Sequence, residues 1–113
     1  MKNTVSLRKN NQFRYVYNRG KSIANKHLVM YLMPNDKSYN QLGLSVSKKV
    51  GNSVIRSRVT RLIREAYRLK EDKIKTGYDI IFIARASCAD AGFHDIAPSV
   101  MHLIKKHHML KVL

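Results

Sequence analysis

The sequence is short of acids. Seven Asp and Glu stand against 22 Lys and Arg, a formal net charge of +15 at pH 7. So much self-repulsion in a small compact chain points to a polyanionic partner, with nucleic acid first and an anionic membrane surface second. A single cysteine, Cys88, rules out an intramolecular disulfide. Cys88 reads as a small loop residue rather than a reactive thiol. Long apolar runs are missing too. "IIFIA" at 80–84 is far too short to cross a bilayer, and "MKNTVSLRKNNQF" lacks the apolar core of a signal peptide. A soluble cytoplasmic protein with no membrane partner is the expectation. No paired-carboxylate or metal-ligand motif is present. His27, His94, His102, His107 and His108 are available to a self-sufficient nuclease, but "KKHH" at 105–108 reads as basic surface.

What is present suffices for one folded domain. The chain has 113 residues, 44% of them hydrophobic, with no internal repeat and no linker. Residues 1–113 therefore read as a single domain. Residues 10 to 19 read as a short helix, with Asn10 or Asn11 to cap it, Gly20 past its end, and Phe13, Val16 and Tyr17 on one face. Residues 22 to 33 read as an extended arm. Leu28, Met30 and Leu32 face one side, and Val29, Tyr31 and Met33 face the other. "QLGLSVSKK" alternates, with Leu42, Leu44 and Val46 opposite Gly43, Ser45 and Ser47, and a hairpin with the preceding arm is expected. Residues 53 to 70 form a helix, "KTGYDIIFIAR" an internal strand, and 94 to 109 a last helix with Ile96, Val100, Leu103, Ile104 and His107 in one stripe. This is an α+β sheet with its helices mainly on one face.

The helix at 53–70 carries most of the functional signal. Its period sets Ile55, Val59, Leu62, Ile63, Ala66 and Leu69 on one side. Arg61, Arg64 and Arg68 fall opposite, beside Ser57, with Arg56 and Arg58 flanking the apolar stripe. "KKVGNS" before it brings Lys48 and Lys49 to a helix N-terminus, where free N–H groups favour anions. Guanidinium groups suit phosphate and folded RNA. Phe13, Tyr17 and Tyr31 are core by pattern alone, although exposed aromatics beside basic residues would stack single-stranded RNA bases. A DNA-binding helix is disfavoured, since the preceding helix and tight turn of a helix-turn-helix are missing.

"GLSVSKKVGNSVIRSRVTRLIREAYR" at 43–68 resembles the signature segment of the bacterial ribonuclease P protein component. "LRKNNQFRYVYNRGKSIANKHLVMYLM" at 7–33 and "YDIIFIAR" at 78–85 resemble other parts of that family, so the likeness spans nearly the whole chain. The resemblance implies an αβββαβα order, a four-stranded sheet, a left-handed βαβ crossover against the usual hand, and a likeness to ribosomal S5 domain 2. It divides the extended arm into two strands, the first near Lys21 to Ala24. It implies partnership with the ribonuclease P RNA and precursor tRNA, and assistance in endonucleolytic removal of the 5′ leader. Mg2+ would be held by the RNA subunit, with no metal or catalytic residue on the protein and no activity from the protein alone. The family's R-N-R motif maps to Arg56, Ser57 and Arg58, with Ser in place of the central Asn. Thr60 stands where many members carry Lys. Lys48, Lys49, Asn52, Arg61 and Arg64 match. Phe13, Tyr17 and Tyr31 correspond to the family's leader-binding cleft. The competing expectation is a ribosomal-type structural RNA-binding protein with no leader role.

Overall fold

The computed structural model describes residues 1–112. Its elements are β1 (Thr4–Ser6), α1 (Asn10–Arg19), β2 (Lys21–Ala24), β3 (Leu28–Pro34), β4 (Asn40–Ser45), α2 (Ser53–Arg68), β5 (Tyr78–Ala84) and α3 (Phe93–Lys106). The strands form one mixed sheet in the order β1-β4-β5-β3-β2. β1, β4 and β5 run parallel, and β3 and β2 complete the sheet antiparallel. Helix α2 is the crossover between the parallel neighbours β4 and β5.

Two expectations about the sheet are corrected. The sheet has five strands, because β1 adds to the edge beside β4. β1 has three residues and a single apolar side chain, too little for a pattern. Its place is fixed from outside, since the Glu71 carboxylate accepts the Lys2 and Asn3 N–H groups at 3.0 and 3.3 Å and the Thr4 hydroxyl meets the Tyr67 hydroxyl at 3.0 Å. The expected hairpin is also absent. β5 lies between β3 and β4 and pairs with both. Its residues are apolar on both faces, and burial on both faces favours the centre of the sheet over its edge.

The alternation in β3, β4 and β5 sorts the two faces. Leu28, Met30, Leu42, Ile80 and Phe82 point to one face, where α2 and α3 close the main core with Val59, Ile63, Ile96, Val100, Leu103 and Ile104. Tyr67 is also fully buried there, a core residue outside the apolar stripe read from the sequence, because its hydroxyl bonds Thr4 and Asn40. Leu69, assigned to that stripe, is 52% exposed at the end of α2. On the other face α1 covers a small cluster built on Leu7, Val16 and Ile81. The α1 cap is Lys9 rather than Asn10 or Asn11. Gln12 Oε1 accepts the Lys9 N–H at 3.2 Å. Cys88 is buried in a 3₁₀ turn, and its thiol donates to the His27 carbonyl at 3.1 Å. Burial pushes that thiol's pKa up, which suits packing and not nucleophilic chemistry.

Candidate nucleic-acid interface

Parallel strands leave their carboxyl ends together. Arg8 follows β1, Lys48 and Lys49 follow β4, and Arg85 follows β5. The β2–β3 turn with Lys26 and the start of α2 lie at the same end. Cations from distant segments are thus collected at one end of the sheet. Asn52 caps α2 there, its Oδ1 accepting the Ile55 N–H at 3.0 Å. The cap leaves other first-turn N–H groups free of intrahelical partners, next to exposed Lys48 and Lys49.

The nine basic-helix residues singled out in the sequence do not share one environment. Ser57, Arg61 and Arg64 are exposed along α2, and among the described residues neither arginine is paired with an acid, nor is Lys48 or Lys49. Arg56 is half-buried, and its Nε donates to the Gly51 carbonyl at 3.2 Å. The Thr60 hydroxyl turns back to the Arg56 carbonyl at 2.8 Å. Arg58 lies on the other flank and donates to the carbonyls of Ala91 and Ala89 at 2.8 and 2.6 Å. It ties α2 to the turn that precedes α3. Arg68 is gripped by Glu65, with Nε at 2.9 Å from Oε1 and a second bond from its Nη2. That hydrogen bond holds the Glu65 carboxyl below its usual range. So Arg61 and Arg64 present free guanidinium groups, whereas Arg58 spends its own on backbone carbonyls and the exposed Arg68 is paired with Glu65.

The few acids are largely consumed as well. Glu65 holds Arg68, Glu71 holds the N-terminal strand, Asp79 accepts from Asn35 and Asp95 accepts the Gly92 N–H at the start of α3. The Gly92 bond is the main cause of a lowered Asp95 pKa. Acid that anchors backbone is not available to neutralise the arginine face.

The aromatic trio lies on the opposite face from the main core. Phe13 and Tyr17 meet edge-on at 6.2 Å between ring centroids, and Tyr17 meets Tyr31 at 5.0 Å. The sheet register places Tyr31, Ile81 and Gly43 in one row. A Cβ at Gly43 would come within 2.7 Å of the Phe13 ring, so the missing side chain lets that ring lie on the sheet. The next row, Val29, Ile83 and Ser45, is only half-buried. Burial pushes the Tyr17 phenol pKa up against the opposing pull of the nearby Ser45 hydroxyl, and Tyr31 adds to the rise. A cleft of about 570 Å³ opens here, lined by Phe13, Tyr17, Ser45, Val46, Arg8 and Arg14 among others. Tyr31 sits beneath Tyr17 and does not itself line the cleft.

Arg8 also lines a groove of about 490 Å³ between β1 and α2, together with Thr60 and Arg64. One side chain therefore joins the cleft to the arginine face. Arg8, Arg14, Gly43, Ser45 and Ile83 are site residues that the sequence reading did not single out. The alternation of 41–47 had already set Gly43 and Ser45 on this face, which was the available signal.

Among the described residues no group of three or more His, Cys, Asp or Glu could hold a metal ion. Among the same described residues no helix is long and apolar enough to cross a membrane.

Comparison with known proteins agrees with this geometry. The family model described as Ribonuclease P matches residues 1–108. The ribonuclease P protein component of Alkaliphilus oremlandii is 52% identical over 110 residues, covering 97% of this chain and 96% of that protein. That of Clostridioides difficile is 55% identical over 104 residues, 91% of each chain. The solved structure of the Staphylococcus aureus RNase P protein superposes with a TM-score of 0.87 at 36% identity, covering 94% of this chain and 97% of that one. The Thermotoga maritima RNase P protein gives 0.82 at 28% identity, covering 89% and 96%. With a family model spanning nearly the whole chain and relatives at half identity, this chain belongs to the ribonuclease P protein family, the protein component of the ribonucleoprotein enzyme ribonuclease P, whose partner is the ribonuclease P RNA.

Proposed function

We propose that the chain acts on both RNAs of the ribonuclease P reaction in the cytoplasm. Lys48, Lys49, Arg61 and Arg64 contact phosphates of the ribonuclease P RNA and of precursor tRNA near the cleavage point. Asn52 and Arg56 shape that surface, Ser57 lies on it, Arg58 braces it from within, and Arg68 lies exposed beside it, paired with Glu65. The cleft over Phe13 and Tyr17, with Tyr31 beneath, holds the single-stranded 5′ leader while the leader is removed. The observation that carries this reading is a half-open aromatic row beside unpaired cations, joined to the arginine face through Arg8. Bases stack on such rings in any sequence, and each stacked base contributes about 1–3 kcal/mol. The protein supplies neither nucleophile nor metal. Magnesium belongs to the RNA subunit, so the protein's part is to position and neutralise. To this reading also belong the left hand of the β4–α2–β5 crossover and the S5-like arrangement.

The test is reconstitution. The chain is added to a bacterial ribonuclease P RNA at low magnesium, and cleavage of precursor tRNA is followed. The protein should raise the rate and lower the magnesium requirement, because it replaces counterions at the phosphates it contacts. Protein without RNA should not cut. Cleavage by an RNA-free preparation, abolished by a point substitution, would overturn the reading. A ribosomal-type RNA-binding protein would bind the RNA yet leave cleavage unchanged.

A further inference from the structure

A second cation-lined surface lies at the far edge of the sheet. β2 is an edge strand, so one side of its backbone has no strand partner. Between it, the end of β3 and the end of α3 runs a groove of about 750 Å³. Ile23, Leu32 and Tyr78 supply an apolar floor, and Arg19, Lys21 and Lys106 stand on its rim with His107 and His108. No acid lines it. Acids are not scarce at this end. Asp36 follows β3, Asp79 belongs to the start of β5, and Glu65, Glu71 and Asp72 lie at or beyond the end of α2. They are simply kept out of the groove.

One strand pair separates the groove from the cleft: Tyr17 lines the cleft and its ring meets Tyr31, the residue beside Ser22. Ser22 on β2 is the cross-strand partner of Tyr31, and both belong to the face that α1 partly covers. Ser22 also lines the groove. A strand that leaves the cleft past Tyr17 can therefore cross the β2 edge at Ser22 and enter the groove beside Lys21.

Resting on the leader reading above, we propose that this groove binds the upstream part of the same 5′ leader, phosphates against Lys21, Lys106 and Arg19 and a base against the apolar floor. Charge complementarity selects a polyanion, and a floor with a tyrosine accepts a base of any identity.

The experiment uses the reconstituted holoenzyme and two precursor tRNAs. One has a short leader that ends in the cleft, and the other has a leader about ten nucleotides longer, within the span a single-strand site covers. The Lys21→Ala/Lys106→Ala variant should bind the long-leader precursor roughly five-fold more weakly per lysine lost at about 0.1 M salt, and its salt slope should fall by about 0.7 per lysine. Short-leader precursor and mature tRNA should be unaffected. Both substituted residues are exposed, and melting temperature is measured beside the affinities. In a second arm, a Ser22→Cys variant carries a tethered iron chelate, with Cys88 shielded by burial. It should cut the long leader and spare the short one. Equal losses for both leaders would mean the groove meets another part of the RNA, and no loss for either would mean it binds no RNA. Each result overturns the proposal. If Tyr17→Ala weakens the short-leader precursor while the lysine variant does nothing, the groove proposal alone fails. If Tyr17→Ala has no leader-dependent effect, the leader reading itself fails.

Discussion

The two faces of the sheet are built from the same strands and are covered to very different extents. Met30 and Leu32 point to one face while Tyr31 points to the other. On the first face α2 and α3, with 16 and 14 residues, seal the core, and Ile63, Phe82, Val100 and Ile104 have no exposure. On the second, α1 has only 10 residues and leaves Phe13, Tyr17, Tyr31 and Ile83 half-open. The same strands are sealed on one face and half-open on the other because two long helices cover the first and one short helix the second. The short helix holds the rings at fixed angles and leaves part of the face uncovered.

The largest effect should come from breaking the sealed face. Phe82→Ala should cost about 3–5 kcal/mol, a large share of the ~5–15 kcal/mol typical of a domain. Chemical denaturation should show it, and every RNA ligand should be lost together. A folded, stable variant would contradict the division of labour.

Next is the contrast within α2. Arg58→Ala removes two charged-group hydrogen bonds to backbone carbonyls and should destabilise the fold by about 1.5–3 kcal/mol. Arg61→Ala should leave the melting curve in place and lower the salt slope of RNA binding by about one. If the two variants exchange behaviours, the assignment of structural and RNA-facing arginines is reversed. The sequence could not separate them. Their helical positions are plain, but the acceptors for Arg58 are backbone carbonyls more than 30 residues away, which have no residue signature. The same limit hid β1, whose anchor Glu71 is buried nearly 70 residues on. Long-range parallel pairing likewise hid the insertion of β5 between β3 and β4. What was legible had a period. The alternation of 41–47 and the stripes of α2 and α3 set the faces, and the arginine side followed. Tyr67 escaped because a hydroxyl makes a core residue look like a surface one.

The smallest effect should be the pH response of the sealed face's margin. His107 Nε2 donates to the Met30 carbonyl at 2.9 Å, and burial holds its pKa below the ordinary imidazole value. Between the two values the unfolded chain binds more protons than the folded one. This contribution to stability is therefore complete above about pH 6.5 and is lost as pH falls through the window. Urea midpoints at pH values on either side of that window should show the decline, and His107→Gln should flatten it. An unchanged slope in the variant would place the pH response elsewhere. The residue is only partly buried, so a modest slope is expected.

The open face carries the central claim, and Tyr17→Ala in the holoenzyme tests it most directly. Three quantities are needed together, namely affinity for precursor tRNA, affinity for mature tRNA and melting temperature of the protein. A stacked base at about 1–3 kcal/mol corresponds to roughly five- to a hundred-fold weaker precursor binding. Mature tRNA, which has no leader, should bind as before, and the loss should depend weakly on leader sequence. If precursor and mature tRNA weaken equally and the melting temperature falls, Tyr17 is core, and the half-open face is not a leader site.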